Sequence, residues 1–352
     1  VTEIRKFPHA FLGEAEAIEI LTDTKEELGG SGGRERRDWE SVSSREIAAI
    51  LRESGVVETE AGMFPVHLAI ERASTFTVDA VVLNGCESEP YLTSDHALMM
   101  SHPVEILKGG ELLRRAFGAK ELVVAVEENK EEVAELFKSK VFFHSWSQAR
   151  VEILPTRYPQ EEKTLLLEKL FGRSGMGLVV LNVATAYAAY EAVGLRKPAI
   201  ERAVTIGGEC VAQPHNYWLR VGTLAEEAVK FARGFLREPG KVVFGGPMKG
   251  EALAGLDVPV LSGTRGILGL PPEVVNPRSI YPCIHCGQCV ESCPVSISPV
   301  MITLAAEREL FDVAQDYGAS LCISCGNCAY VCPSGRPMVE LIQYANRSAN
   351  AR

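Results

Sequence analysis

The chain has 352 residues, 46% of them hydrophobic and 23% charged, with 36 Lys and Arg against 46 Asp and Glu, a net charge of −10. That length makes room for two or three domains, each able to bury a core. The acidic balance argues against a nucleic-acid partner, no apolar run approaches bilayer length, and no secretory signal is visible.

In chain order, AEAIEIL (15–21) alternates as a strand does. GGSGGRERRD (29–38) follows. No apolar strand leads straight into it and no Lys-Ser/Thr follows, so it reads as a linker rather than a phosphate loop. Arg34, Arg36 and Arg37 then read as solvated linker charges. Ser43 and Glu46 have the spacing of a capping box ahead of the helix REIAAILRES. Next come the strand VDAVVLNG (78–85), the helix 104–118, the strand ELVVAVEE (121–128), the helix 129–139, the strand 150–156 and the helix 161–171. GLVVLNVATAYAAYEAV (177–193) reads as a strand turning into a helix near Asn182. Regular alternation of strand and helix implies an α/β domain, a parallel sheet covered by helices, with ligands at the C-terminal strand ends.

The stretch 201–271 is different. RAVTIGG (202–208), a strand near 217–221, the helix 223–234 and KVVFGG (241–246) predict a small mixed α+β module. Its glycine pairs fit hairpin ends or a close backbone approach.

Eight of the ten cysteines fall in the last part, in CIHCGQCVESCP and CISCGNCAYVCP. Both runs read C-x2-C-x2-C-x3-C-P, the spacing that holds 4Fe-4S clusters, with the fourth cysteine serving the other cluster. On that logic Cys283, Cys286, Cys289 and Cys332 hold one cluster, and Cys322, Cys325, Cys328 and Cys293 hold the second. Zinc has no use for a third cysteine three residues on, twice. Disulfides suit small secreted domains. The segment between the runs, SPVMITLAAERELFDVAQ, looks helical. The fourth cysteine of each run is followed by proline, Pro294 and Pro333. His285 is expected to face solvent or tune a cluster rather than ligate iron, and Cys86 and Cys210 to be buried inert thiols. Tyr187 and Tyr190 have helical spacing and read as packing.

With these pieces the chain resembles the C subunit of Rnf-type electron-transport complexes. Besides the cysteine runs, LNGCESEPYLTSD (83–95), VVLNVATAYA (179–188) and GGPMKGEALAGLDVPVLSGTRGIL (245–268) look like that family's motifs. The resemblance implies four parts: 1–40, a remnant of an N-terminal domain with a linker; 41–200, a Rossmann-like domain of the kind that carries flavin in respiratory complex I; 201–271, a β-grasp soluble-ligand-binding module; 272–352, a helical two-cluster ferredoxin domain. It also implies that Asn84, Glu87, Ser88, Glu89, Pro90 and Asn182 border an FMN and NADH pocket.

The chain departs from the family where flavin phosphate would sit. The expected G-x-G-G-A-G-F-P-T-x-x-K reads ETEAGMFPVHLA (58–69), with Glu58, Glu60, Ala61 and Met63 for glycines, Val66 for threonine and Ala69 for lysine. The expected Y-P-Q-G-G-E-K is YPQEEK (158–163). A like charge at 4 Å costs about 1 kcal/mol in water and about 4 kcal/mol near a protein surface. FMN is therefore not expected, and Asn84, Glu87, Glu89 and Asn182 read as scaffold of a degenerate pocket. The expected function is an iron-sulfur electron-transfer subunit of an oxidoreductase complex, cytoplasmic, with other redox subunits as partners and any membrane contact made through them. The alternatives are an FMN-dependent NADH dehydrogenase subunit and a corrinoid-reductase-like protein.

Overall fold

A computed structural model describes residues 3–9, 13–20, 38–59, 62–144, 146–275 and 279–350. The linker through residue 37 with its three arginines, and Glu60 and Ala61, lie outside them. The chain divides into two units, Val1–Gly246 with Glu251–Leu270, and Pro247–Gly250 with Pro271–Arg352.

The first unit opens with an antiparallel pair, β1 (Glu3–His9) and β2 (Gly13–Glu19). Then come α1 (Ser44–Glu53), α2 (Val66–Ala73), β3 (Ala80–Asn84), α3 (Ser94–Ser101), α4 (Pro103–Ala116), β4 (Glu121–Glu127), α5 (Glu131–Phe143), β5 (Ala149–Leu154), α6 (Lys163–Phe171), β6 (Leu178–Asn182) and α7 (Val183–Leu195). Ser43 and Glu46 form the expected capping box. The strands stand in the order β5-β4-β3-β6, all parallel. Because side chains alternate along a strand, Val81 and Leu83 face a core shared with α1, α2, α4, α5 and α7, while Ala80 and Val82 face a second core shared with α6. Both faces are covered at β3, β4 and β6, which is why the centres of these three strands are unbroken apolar runs. Gly109 lets α4 lie against α7: a Cβ there would stand 1.7 Å from the Ala186 carbonyl oxygen.

The same unit continues with β7 (Glu201–Gly207), β8 (His215–Arg220), α8 (Ala225–Phe231), β9 (Lys241–Phe244), β10 (Glu251–Ala252) and β11 (Gly266–Leu270). They form a mixed sheet, β10-β9-β11-β7-β8, in which only β11 and β7 run parallel. Ala225, Ala228 and Val229 of α8 pack with Val204, Ile206 and Ile267 of the sheet. Gly208 and Gly246 mark close approaches. A Cβ on Gly208 would meet the Gly269 carbonyl at 2.4 Å, and one on Gly246 would meet Glu89 Oε2 at 2.1 Å.

The second unit is built of short helices: α9 (Pro272–Val275), α10 (Gln288–Glu291), α11 (Pro299–Ala306), α12 (Phe311–Asp316), α13 (Asn327–Tyr330) and α14 (Met338–Asn350). The stretch expected to be helical between the cysteine runs is two helices. Glu309 takes a left-handed conformation, φ 56°, and ends the first. Ile302, Phe311, Ala314 and Ile342 form the core of the unit.

Candidate functional site

In the second unit, α10 and α13 each start behind a left-handed glycine, Gly287 and Gly326. Two residues earlier, His285 and Ser324 are also left-handed, φ 55° and 52°. The resulting curl turns their backbone N–H groups onto Cys283 Sγ and Cys322 Sγ, each at 3.4 Å. The two runs thus fold alike. Cys283, Cys286, Cys289 and Cys332 line one cavity. Cys293, Cys322, Cys325 and Cys328 line another. Each cavity takes its fourth sulfur from the other run.

Among the described residues, no three His, Cys, Asp or Glu side chains converge closely enough to hold one ion. A ring of four sulfurs around a cavity instead suits a polynuclear cluster, whose ligands sit at separate corners. Burial pushes the Cys328 thiol up to about 12, with Cys322 and Cys325 adding to it, and raises Cys289, Cys322 and Cys325 likewise. Iron loading has to displace those protons. His285 is exposed. Cys86 and Cys210, in the first unit, are buried, and burial raises the Cys86 thiol far above its ordinary value.

At the C-terminal ends of β3 and β6 in the first unit lies a buried polar network. Asn84 Nδ2 donates to the Glu161 carbonyl at 2.9 Å, and its Oδ1 accepts the Cys86 N–H. The Glu87 carboxylate accepts the Asp95 and His96 N–H groups at 2.9 and 3.1 Å, so it caps α3. Burial, and next the Asp95 charge, push Glu87 above the usual carboxylate range. Glu89 accepts from the Tyr158 hydroxyl at 3.3 Å. Asn182 is the N-cap of α7: its Oδ1 accepts the Ala184 N–H at 2.7 Å and its Nδ2 donates to Asp95 at 2.8 Å. Its own N–H donates to Glu58 Oε1 at 3.1 Å, and the Thr185 hydroxyl lies 3.4 Å from the same oxygen. Arg265 spans Asp95 and Glu161, at 3.1 and 3.2 Å. Lys130 pairs with Glu127 at 3.1 Å.

Residues 51–191 match the family model of the Nuo51 FMN-binding domain, and 282–336 match that of a 4Fe-4S dicluster domain. The C subunit of the proton-translocating ferredoxin:NAD(+) oxidoreductase complex of Clostridium ljungdahlii is 37% identical over 364 residues, covering 100% of this chain and 79% of its own length. Its counterpart in the ion-translocating oxidoreductase complex of Rhodobacter capsulatus is 33% identical, covering 98% of this chain and 67% of its own. The chain belongs to this family, the C subunits of Rnf-type complexes. A solved NAD+-reducing [NiFe]-hydrogenase shares the fold, with TM-score 0.63 and 18% identity over 88% of this chain and 64% of that one.

The residues present fit iron-sulfur clusters. They do not fit a flavin phosphate. The N-terminus of a helix at a strand end is the natural seat for an anion. At α7 the Glu58 carboxylate sits there, and at α3 the Glu87 carboxylate does. The network buries Glu58, Glu87, Glu89, Asp95, Glu127 and Glu161, against Lys130, Arg202 and the nearly buried Arg265. A dianion would add to a surplus of negative charge.

Sequence reasoning does not single out Asp95, Lys130 and Arg265 as members of this network. Asp95 and Arg265 stand inside the quoted motifs, LTSD and GTRGIL, so a signal is present for both. Lys130 carries none beyond its place after a strand. Glu161 stands out as a lost glycine, but not as the partner of Arg265.

Proposed function

We propose that the chain relays single electrons through two 4Fe-4S clusters between other redox subunits of its complex, without FMN or an NADH site of its own. One observation carries the relay: four cysteines ring each of two neighbouring cavities. In this reading Cys283, Cys286, Cys289 and Cys332 hold one cluster, and Cys293, Cys322, Cys325 and Cys328 the other. The iron-sulfur centres supply one-electron chemistry. The chain's own residues supply thiolates, N–H donors to sulfur and, around Cys293, Cys322, Cys325 and Cys328, an apolar wall.

The absence of FMN rests on Glu58, whose carboxylate accepts the Asn182 N–H at the start of α7, where an anion would otherwise sit. Asn84, Glu87, Glu89 and Asn182 then serve as scaffold at the strand ends. The segment 41–200 is the flavin-domain frame and 201–271 a β-grasp module that offers a docking surface. The related C subunits belong to ion-translocating complexes. Among the described residues no helix is long and apolar enough to cross a membrane. Membrane association through partner subunits at the cytoplasmic face accords with both facts. The match to an FMN-binding domain supports the second reading, an FMN-dependent NADH dehydrogenase subunit.

Anaerobic purification followed by iron, sulfide and flavin assay decides between them. The relay reading expects about eight irons per chain, no flavin released on denaturation, and little NADH-dependent reduction of artificial acceptors. Stoichiometric FMN with NADH oxidation by the lone chain overturns it.

A further inference from the structure

The two cysteine-lined cavities have different walls. The cavity of Cys293, Cys322, Cys325 and Cys328 is closed by Val295, Ile297, Val339 and Ile342, and among the described residues no charged side chain lines it. Two of its cysteines, Cys325 and Cys328, are buried, against Cys332 alone in the other cavity. The cavity of Cys283, Cys286, Cys289 and Cys332 includes Arg336 in its wall. That side chain is 7% exposed. Its Nη2 pairs with Glu307 at 2.7 Å, and Glu307 does not line the cavity. Its buried Nε has no hydrogen-bond partner among the described residues. A buried guanidinium N–H left unpaired is costly, and here it belongs to a residue in the wall of a sulfur-ringed cavity. Cys286 of the same cavity is exposed.

These differences act in one direction. Reduction adds one negative charge to a cluster and needs no proton. A fixed cation, an N–H donor to sulfur and access to water all favour the added charge. An apolar wall disfavours it. Lys249 also acts on Cys325 in the other cavity, but Lys249 is exposed and screened by water.

We propose that Arg336 sets the two clusters at unequal potentials and makes the one held by Cys283, Cys286, Cys289 and Cys332 the site where an electron comes to rest. The proposal builds on the assignment of two clusters to this unit. Arg336 acts as a positioning and tuning residue, donating Nε–H toward the cluster's sulfurs while Glu307 holds the guanidinium in place.

The test is a redox titration of the anaerobically loaded full chain, with dithionite as reductant and ferricyanide as oxidant, followed by electron paramagnetic resonance. Two one-electron waves are expected. Cys283→Ser, which alters a ligand of one cavity only, identifies the upper wave as belonging to that cavity. Arg336→Gln is expected to lower this wave at least tenfold in the reduction equilibrium, about 59 mV for one electron, and to leave the other wave in place. Glu307→Gln removes the counter-charge and is expected to move the same wave upward. It also provides the reading if Arg336→Gln does not load. Opposite shifts confined to one wave would not follow from loosened packing. Assignment of the upper wave to the other cavity overturns the proposal, as do equal shifts of both waves or none in either variant. Fewer than eight irons in the unaltered chain defeats the two-cluster reading instead, and is seen before any titration begins.

Discussion

The two units treat their inward-facing polar groups in opposite ways. In the second, eight thiols ring two cavities and the backbone is bent to turn N–H groups toward sulfur. In the first, Glu87 caps α3, Asn182 caps α7 with Glu58 on its own N–H, and Arg265 is taken up by Asp95 and Glu161. One unit is arranged around groups supplied from outside, the other around groups the chain already has. On the proposed reading, a fold keeps the frame of a ligand site while its own side chains take over the ligand's contacts.

The largest effect that could break this comparison is at Cys293. If the fourth sulfur of each cavity comes from the other run, Cys293→Ser damages the cluster of Cys322, Cys325 and Cys328, and iron falls from about eight to about four per chain. Iron analysis with paramagnetic resonance checks it. Loss of the cluster held by Cys283, Cys286 and Cys289 alone defeats the crossed arrangement.

Next in size is Arg265→Met, which leaves Asp95 and Glu161 buried without their shared cation. It is expected to destabilise the first unit by about 3–5 kcal/mol, measured by denaturant unfolding, with iron content unchanged. A neutral result would mean that the network is not self-satisfied.

Glu58→Ala is smaller. Loss of the acceptor for the buried Asn182 N–H is expected to cost about 1–3 kcal/mol. It also empties the anion seat at α7, so inorganic phosphate should raise the melting temperature of the variant more than that of the parent. Equal responses would show that Glu58 does not occupy an anion site.

The most gradual effect is a pH slope. Glu87 is pushed from 4.5 up to about 7, by burial and then by the Asp95 charge. The folded chain therefore holds more protons than the unfolded chain between those values. The stabilisation is complete below pH 4.5 and is lost as pH rises toward 7, at no more than about 1.4 kcal/mol per pH unit. Glu87→Gln should flatten that slope in thermal unfolding. An unchanged slope would assign it to another group.

Much of this was legible in the residues. The parallel sheet follows from apolar runs such as AVVLN and LVVLN, buried on both faces. The turn from β6 into α7 at Asn182 is readable because asparagine both ends the run and caps the helix. The short helices α2 and α3 are not, since neither has a side-chain cap at its own N-cap position, and α3 is capped instead by Glu87, outside the spacing of any cap rule. β11 escapes notice because GILGL carries two glycines, which weaken a strand signal. The acids at 58 and 161 are visible as departures. Their partners are not, because Asn182 and Arg265 lie 124 and 104 residues away. Arg336 gives no signal, since it follows a Pro-Ser-Gly turn that looks like ordinary loop.

The exchange of the fourth sulfur has a consequence for biogenesis. Neither cavity has a full set of sulfurs until both runs have been synthesised and brought together, so no partial product of the ribosome presents a finished site. Loaded as proposed, the pair would tie α11 and α12 into a closed loop between inorganic cross-links. A protease that nicks this loop would leave two fragments still clasped together, and removing iron from one cavity would loosen the chain around the other.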